Sequence, residues 1–153
     1  MRLFYIFFIV LSLISGCAST SPTIYQKLSF MSGGGYVDYK VSSDEVLQKR
    51  HPESDVLVVV MLNANNNLSR ANDFAHRRAA ELTVQNGYTF YTFIVVNSSY
   101  EASKWEGGGV SGTHLKPDVR LAIKFHNTAQ SNSKEASEVI KNVTLKYEKE
   151  IVN

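Results

Sequence analysis

Cysteine is nearly missing from this 153-residue chain: Cys17 stands alone, with no second thiol to form a disulfide. Whatever folds after it must hold by packing, without disulfides or thiolate-bound metal. Proline is scarce as well, with 3 residues. An excess of charge of one sign is also lacking. The chain has 16 Lys and Arg against 14 Asp and Glu, and setting Arg2 aside leaves 15 against 14, a net charge near +1. The basic residues are scattered, and the one tight pair, Arg77-Arg78, has acids nearby. The clustered basic face of a nucleic-acid binder is therefore missing, and no nucleic-acid partner is expected. No internal repeat is visible. Three Asn-x-Ser/Thr triplets lie at Asn67, Asn97 and Asn142, and they are chance matches if the host is bacterial.

Long apolar runs are limited to one. Arg2 supplies a short positive start, and Leu3 to Ile14 is almost wholly apolar. Such a run has the length of a signal-peptide core and is too short to cross a bilayer of ~30 Å as a helix. Small residues follow at Ser15 and Gly16, and then Cys17. This arrangement resembles a bacterial lipobox, which implies thioether lipidation of Cys17, cleavage after Gly16 and acylation of the new amino terminus. The competing reading is a plain secretory signal with an incidental cysteine. That reading leaves a reactive lone thiol in an oxidising compartment. Each buried methylene of an acyl chain contributes about 0.8 kcal/mol, so the palmitate-like chains of a mature lipoprotein would hold it on the membrane more or less permanently. Ala18, in place of an aspartate, favours the outer membrane, facing the periplasm, under enterobacteria-like sorting. The expected organisation is a signal peptide over 1–16, lipidated Cys17 with a Ser/Thr-rich tether over 17–32, and one domain over 33–153.

Gly33 to Gly35 predicts a flexible turn, and Tyr36 to Val41 a first strand. A short helical turn is expected at Asp44 to Gln48. Asp55 to Leu62 is apolar and β-branched on both faces, as in a covered central strand. The run Asn63 to Asn67 ends it with turn chemistry. Ser69 then serves as N-cap for a helix over 70–86, whose apolar stripe is Ala71, Phe74, Ala75, Ala79 and Leu82. Asp73, Arg77 and Glu81 are spaced by four on its opposite face, where charged pairs can ladder. Gly87 with Tyr88 supplies a left-handed C-cap and its apolar closure. Tyr88 to Val96 reads as a strand, Asn97 to Pro117 as a long loop, and Val119 to Phe125 as a half-exposed antiparallel strand. A last helix begins near Ser133, with acids early and lysines late. The fold class expected is α+β, a two-layer sandwich in which a small, mostly antiparallel sheet carries two helices on one face in the order β-β-α-β-β-α.

Arg78-Ala79-Ala80-Glu81-Leu82-Thr83, followed by Gly87-Tyr88 and Phe90, resembles a family of small bacterial envelope lipoproteins of uncharacterised function. Those proteins also carry a lipobox, a Gly-Tyr segment before the first strand and a later strand introduced by Lys-Pro. Gly35-Tyr36 and Lys116-Pro117 occupy the matching places. The Asn63 to Asn67 turn departs from the family's Phe-x-Gly-Asn. The resemblance implies class and location; it carries no catalytic or binding residues.

Catalytic patterns are lacking. His51, His76, His114 and His126 have no ligand-spaced partner, and His76 is expected to be solvated. Arg78 and Glu81 suit a helix ladder, or a salt bridge from Arg78 across the sheet edge, better than a catalytic pair. Gly33–Gly35 and Gly107–Gly109 lack the lysine and strand–loop–helix setting of a phosphate loop. No enzyme activity, metal or cofactor is expected. In the 97–117 segment, Trp105 beside a glycine run has two readings. It folds back on the core, or with Tyr100 it docks a protein partner in the envelope. The function expected is thus a non-catalytic, membrane-tethered interaction module held by Cys17. The alternative is a small-ligand or peptidoglycan-binding lipoprotein, which a concave apolar pocket between the sheet and the loop would favour.

Overall fold

The computed structural model describes residues 25–28, 34–107 and 110–148, with only the backbone over 105–107 and 110. The expected signal peptide, Cys17 and most of the tether lie outside the described residues. No helix among the described residues is long and apolar enough to cross a membrane.

The elements are β1 (Gly35–Lys40), a single 3-10 turn at Val41–Ser43, α1 (Glu45–Arg50), β2 (Val56–Met61), α2 (Leu68–Gln85), β3 (Phe90–Gly107), β4 (Val110–His126), β5 (Lys134–Glu135) and α3 (Ala136–Lys146). The strands form one antiparallel sheet in the order β1-β2-β4-β3-β5. This is the α+β sandwich that the alternating strands and striped helices require. The main core lies between the sheet and the helical layer. Val56, Val58 and Val60 of β2 and Val119, Leu121 and Ile123 of β4 meet Ala71, Phe74, Ala75 and Ala79 of α2 there, with Val143 of α3 closing one side. Burying each such aliphatic side chain contributes roughly 1.5–3 kcal/mol.

β2 is apolar on its second face because that face is covered too. Leu57 packs with Ala122, Val41 and Leu47 in a smaller cluster roofed by α1. α1 starts at Asp44, whose carboxylate accepts from the backbone N–H of Val46 and Leu47 at 2.9 and 3.0 Å. The helix thus runs two residues past the single turn expected.

α2 begins earlier than its spacing suggests. The cap is Asn67, not Ser69: Asn67 Oδ1 accepts from Arg70 N at 2.9 Å, and Leu68 joins the rim of the core. Its end is as expected. Gly87 has φ +80°, Tyr88 N donates to Thr83 O and Gly87 N to Val84 O, each at 3.0 Å. These are the paired bonds of a Schellman ending. α3 begins at Ala136 rather than near Ser133, because Lys134 and Glu135 pair with Tyr91 and Phe90 as an edge strand.

The largest departure concerns residues 97–117, expected as a loop. They are the distal halves of β3 and β4, paired without a break from Asn97↔Arg120 to Gly107↔Val110. Backbone hydrogen bonds to a neighbouring strand do not need apolar alternation, so a polar stretch pairs as well as an apolar one. A second, smaller departure follows. The 119–125 strand is antiparallel and exposed at Arg120 and Lys124 as expected, but Ala122 on that same face is buried in the second cluster, and the strand is central, between β2 and β3.

Tyr25 marks a third. It lies within the stretch expected as tether, yet it is 4% exposed and belongs to the core. Lys27 bridges Tyr36 in parallel, Tyr36 N donates to Gln26 O at 2.9 Å, and Leu28 N donates to Tyr36 O at 2.7 Å. Gly35 makes this approach possible: a Cβ there would sit 2.5 Å from Gln26 O.

Candidate interaction surface

The charged side of α2 is not a solvated face. Arg77 is 6% exposed, and its Nε donates to Glu81 Oε1 at 2.9 Å while another guanidinium nitrogen reaches Thr144 of α3. Arg78 spans Glu81, at 3.3 Å, and Asp38 of the edge strand β1, at 2.9 Å. Tyr25 donates to the second Glu81 oxygen at 2.6 Å. The guanidinium of Arg77 lies 4.9 Å from the Tyr25 ring centre and that of Arg78 lies 4.7 Å from Tyr36. Burial, and then the Glu81 carboxylate, push the Tyr25 phenol far above its ordinary range. Both Glu81 oxygens, both arginines and the phenol are engaged with one another. The chemistry available to this cluster is therefore fastening: it ties the 25–28 segment and β1 to both helices. The bridge from Arg78 to the sheet edge is the one expected from the sequence.

His76 is half-buried rather than solvated. Tyr91 donates its hydroxyl proton to the His76 carbonyl at 3.2 Å, which leaves His76 Nδ1–H to donate to the phenol oxygen at 3.1 Å. Phe93 meets the ring edge-on, with centroids 5.5 Å apart. Burial, assisted by the charge of Lys134 and opposed by Asp73, lowers its pKa to about 4. Of the other histidines, His126 bonds Thr92 Oγ1 at 2.9 Å, His51 lies below α1, and His114 is exposed on the distal part of β4. Among the described residues no three His, Cys, Asp or Glu gather as a metal would need.

The hairpin presents a different surface. β3 pairs with β4 along its whole length, but its other edge pairs only at Phe90 and Tyr91, with β5. From Thr92 to Gly107 that outer edge has no strand partner among the described residues. Phe93, Ile94, Val95 and Val96 along it are 38–46% exposed. A register shift between Phe93 and Val95 leaves Ile94 without an opposite number. It also splits the apolar residues between two faces: Phe93 lies toward α2 and Val95 over the second face, beside Leu57 and Ala122. A bulge of this kind twists an edge and discourages indiscriminate pairing.

Tyr100 and Trp105, the two contact residues suggested by the sequence, both lie on β3. Tyr100 is 47% exposed, opposite Pro117; Leu115, opposite Ala102, is its diagonal neighbour and is 55% exposed. Trp105 is opposite Gly112, and its side chain lies outside the described residues. Pattern reading missed the run Phe93 to Val96 as surface. The signal was present in four consecutive apolar residues, but a covered strand carries the same signal.

On the second face, a cavity of about 310 Å³ opens between α1 and the sheet. Leu47, Leu57, Val95 and Ala122 form its apolar walls, with Arg50, Arg120 and Asn97 at the rim. Arg120 is held by Asp118, at 3.1 Å, and by Glu101, at 3.2 Å. Compared with protein-family models, curated proteins and solved structures, the chain matches none.

Proposed function

We propose that this protein is a non-catalytic interaction module of the bacterial envelope, anchored through lipid on Cys17 and presented toward the periplasm from the outer membrane. The partner presents an extended segment that adds to the free edge of β3. The observation that carries this reading is that edge: it has no strand partner from Thr92 to Gly107 among the described residues, and it bears the exposed run Phe93 to Val96. An added strand takes its affinity from main-chain hydrogen bonds and its specificity from alternate side chains; Tyr100, and Trp105 further along β3, are the proposed contact residues of this edge. The engaged chemistry of the Arg77–Arg78–Glu81 cluster supports a structural role for the residues that most suggest catalysis.

Two measurements test the proposal. Cys17→Ser abolishes labelling by a clickable fatty acid; unchanged labelling overturns the anchor. A photo-crosslinker at Ser99 of the full chain in its own envelope captures a protein. Val96→Lys and Tyr100→Ala each remove that product while leaving the melting temperature within a few degrees. Capture that survives both substitutions rejects the edge as the contact.

A second reading, a small-ligand or peptidoglycan-binding lipoprotein, takes its support from the apolar cavity between α1 and the sheet. Leu57→Trp would fill it. Retained partner capture in that variant supports the first reading over the second.

A further inference from the structure

A cleft of about 430 Å³ lies at the other end of β4 from the hairpin tip. It falls within the range of roughly 300–1,000 Å³ that holds small molecules. Its walls come from five places in the chain: Asp38 and Lys40 of β1, Asp55 before β2, Asn86 at the end of α2, Tyr88, and Phe125 of β4.

Three features define what it would take. Tyr88 and Phe125 stack, with ring centroids 5.4 Å apart and planes 23° from parallel, and Tyr88 is 38% exposed with no hydrogen-bond partner for its hydroxyl among the described residues. This is an apolar shelf with a polar tip. Two carboxylates are each fixed by one oxygen. Asp55 Oδ2 accepts from Phe125 N at 2.8 Å, and Asp38 Oδ1 accepts from Arg78 at 2.9 Å. Their other oxygens make no hydrogen bond to described residues and remain as anchored acceptors. In the wall beside Asp55, Ser54 is 8% exposed and its hydroxyl is unpartnered among the described residues, a cost that natural proteins seldom carry without a reason.

Charge decides the ligand class. Asp38 is matched by Arg78, and Asp55 shares the cleft with the Lys40 ammonium, which makes no ion pair among the described residues. An anion meets two carboxylates and the carbonyl end of α2. A cation meets Lys40 and Arg78. Neither sign is favoured, while acceptors, a donor and a ring face are all present. We infer that the cleft binds a short neutral saccharide, with a C–H face of a pyranose on Tyr88 and its hydroxyls donating to Asp38 and Asp55 and accepting from Lys40. The inference does not rest on the docking edge, which belongs to β3, whereas the cleft is lined by β1, the C-terminal end of α2 and Phe125 of β4.

The test uses the full chain, isotope-labelled, in a detergent without sugar head groups, and follows backbone amide shifts. Chitotriose and maltotriose are the neutral probes; inorganic phosphate and putrescine are the charged ones. The expected result is a saturable shift of the Lys40, Asp55 and Tyr88 amides with a trisaccharide. Tyr88→Leu and Lys40→Ala should each weaken that binding about fivefold, the size of one lost contact. Preference for chitotriose assigns an amino-sugar polymer as source, and preference for maltotriose a glucan. No saturable shift with either sugar overturns the inference. So does stronger binding of phosphate or putrescine at these amides, or sugar binding indifferent to the substitutions. Should Tyr88→Leu misfold, Lys40→Ala on the exposed rim decides alone.

Discussion

Glu81 receives hydrogen bonds from three side chains drawn from two separate parts of the chain, Tyr25, Arg77 and Arg78. Removing its carboxylate leaves the guanidinium of Arg77, 7% exposed, without its anion. A charge stranded in this way costs more than the intact pair contributes. Glu81→Ala should therefore lose about 3 kcal/mol in urea unfolding. Lys146→Ala, which breaks the solvent-exposed pair with Asp73, should lose about 1 kcal/mol or less. Equal losses would place the Glu81 cluster among ordinary surface pairs. His76 yields a pH signature. Its pKa falls from 6.5 to about 4 on folding, so protons bind the unfolded chain first. The stability that neutral His76 contributes is complete above the unfolded value. It declines as pH drops from 6.5 toward about 4, by about 3 kcal/mol over the interval. Urea unfolding across that interval should show the decline in the parent and a shallower one in His76→Gln. The same slope in both would assign the effect to carboxylates.

Among the elements, α2 was the most legible, because its determinants are local: an apolar stripe at spacings of three and four, and a Gly-aromatic ending. Only its cap was displaced, since Asn67 and Ser69 both offer an oxygen and two residues separate them. β3 and β4 were half legible. Their proximal parts show apolar alternation imposed by the core, whereas 97–117 has little core to face and so no alternation. Strand pairing there rests on the backbone, which composition does not report. This predicts a gradient of hydrogen exchange along β4. Leu121 has β2 on one side and β3 on the other, but Leu115 has β3 alone. Amides near Leu121 should exchange on the scale of global unfolding and those near Leu115 orders of magnitude faster, by local opening of the hairpin. Uniform protection would mean that the arm is covered on its outer edge as well.

For the whole molecule, Tyr25 of the 25–28 segment is part of the core. Tyr25 sits 4.8 Å from Tyr36 and 5.2 Å from Phe74 by ring centroids, and Phe74 continues the chain of rings to Tyr147 of the C-terminal helix region. A domain cut at Gly33, where composition places the boundary, lacks this ring. Tyr25→Ala should cost about 3–5 kcal/mol, as for other buried aromatics. A chain starting at Gly33 should lose at least as much in thermal unfolding, and one starting at Thr23 little. Full stability of the shorter chain would restore the original boundary.

The class of the fold, the long helix with its ending, and the inner strands could all be read from residue order. Each is set by contacts within a few turns or a few alternations of the chain. So could the candidate anchor at Cys17, which is a matter of local pattern. The burial of Arg77, the fastening of Tyr25 to Glu81, the strand pairing of 97–117 and the cleft beneath Tyr88 became visible only with the chain folded. Tyr25 and Glu81 are 56 positions apart, and Asp55 and Phe125 are 70 apart. No local periodicity carries information across such distances. A polar side chain that faces water and one that faces a buried partner are the same letter in the sequence, and they differ in what the rest of the molecule brings against them.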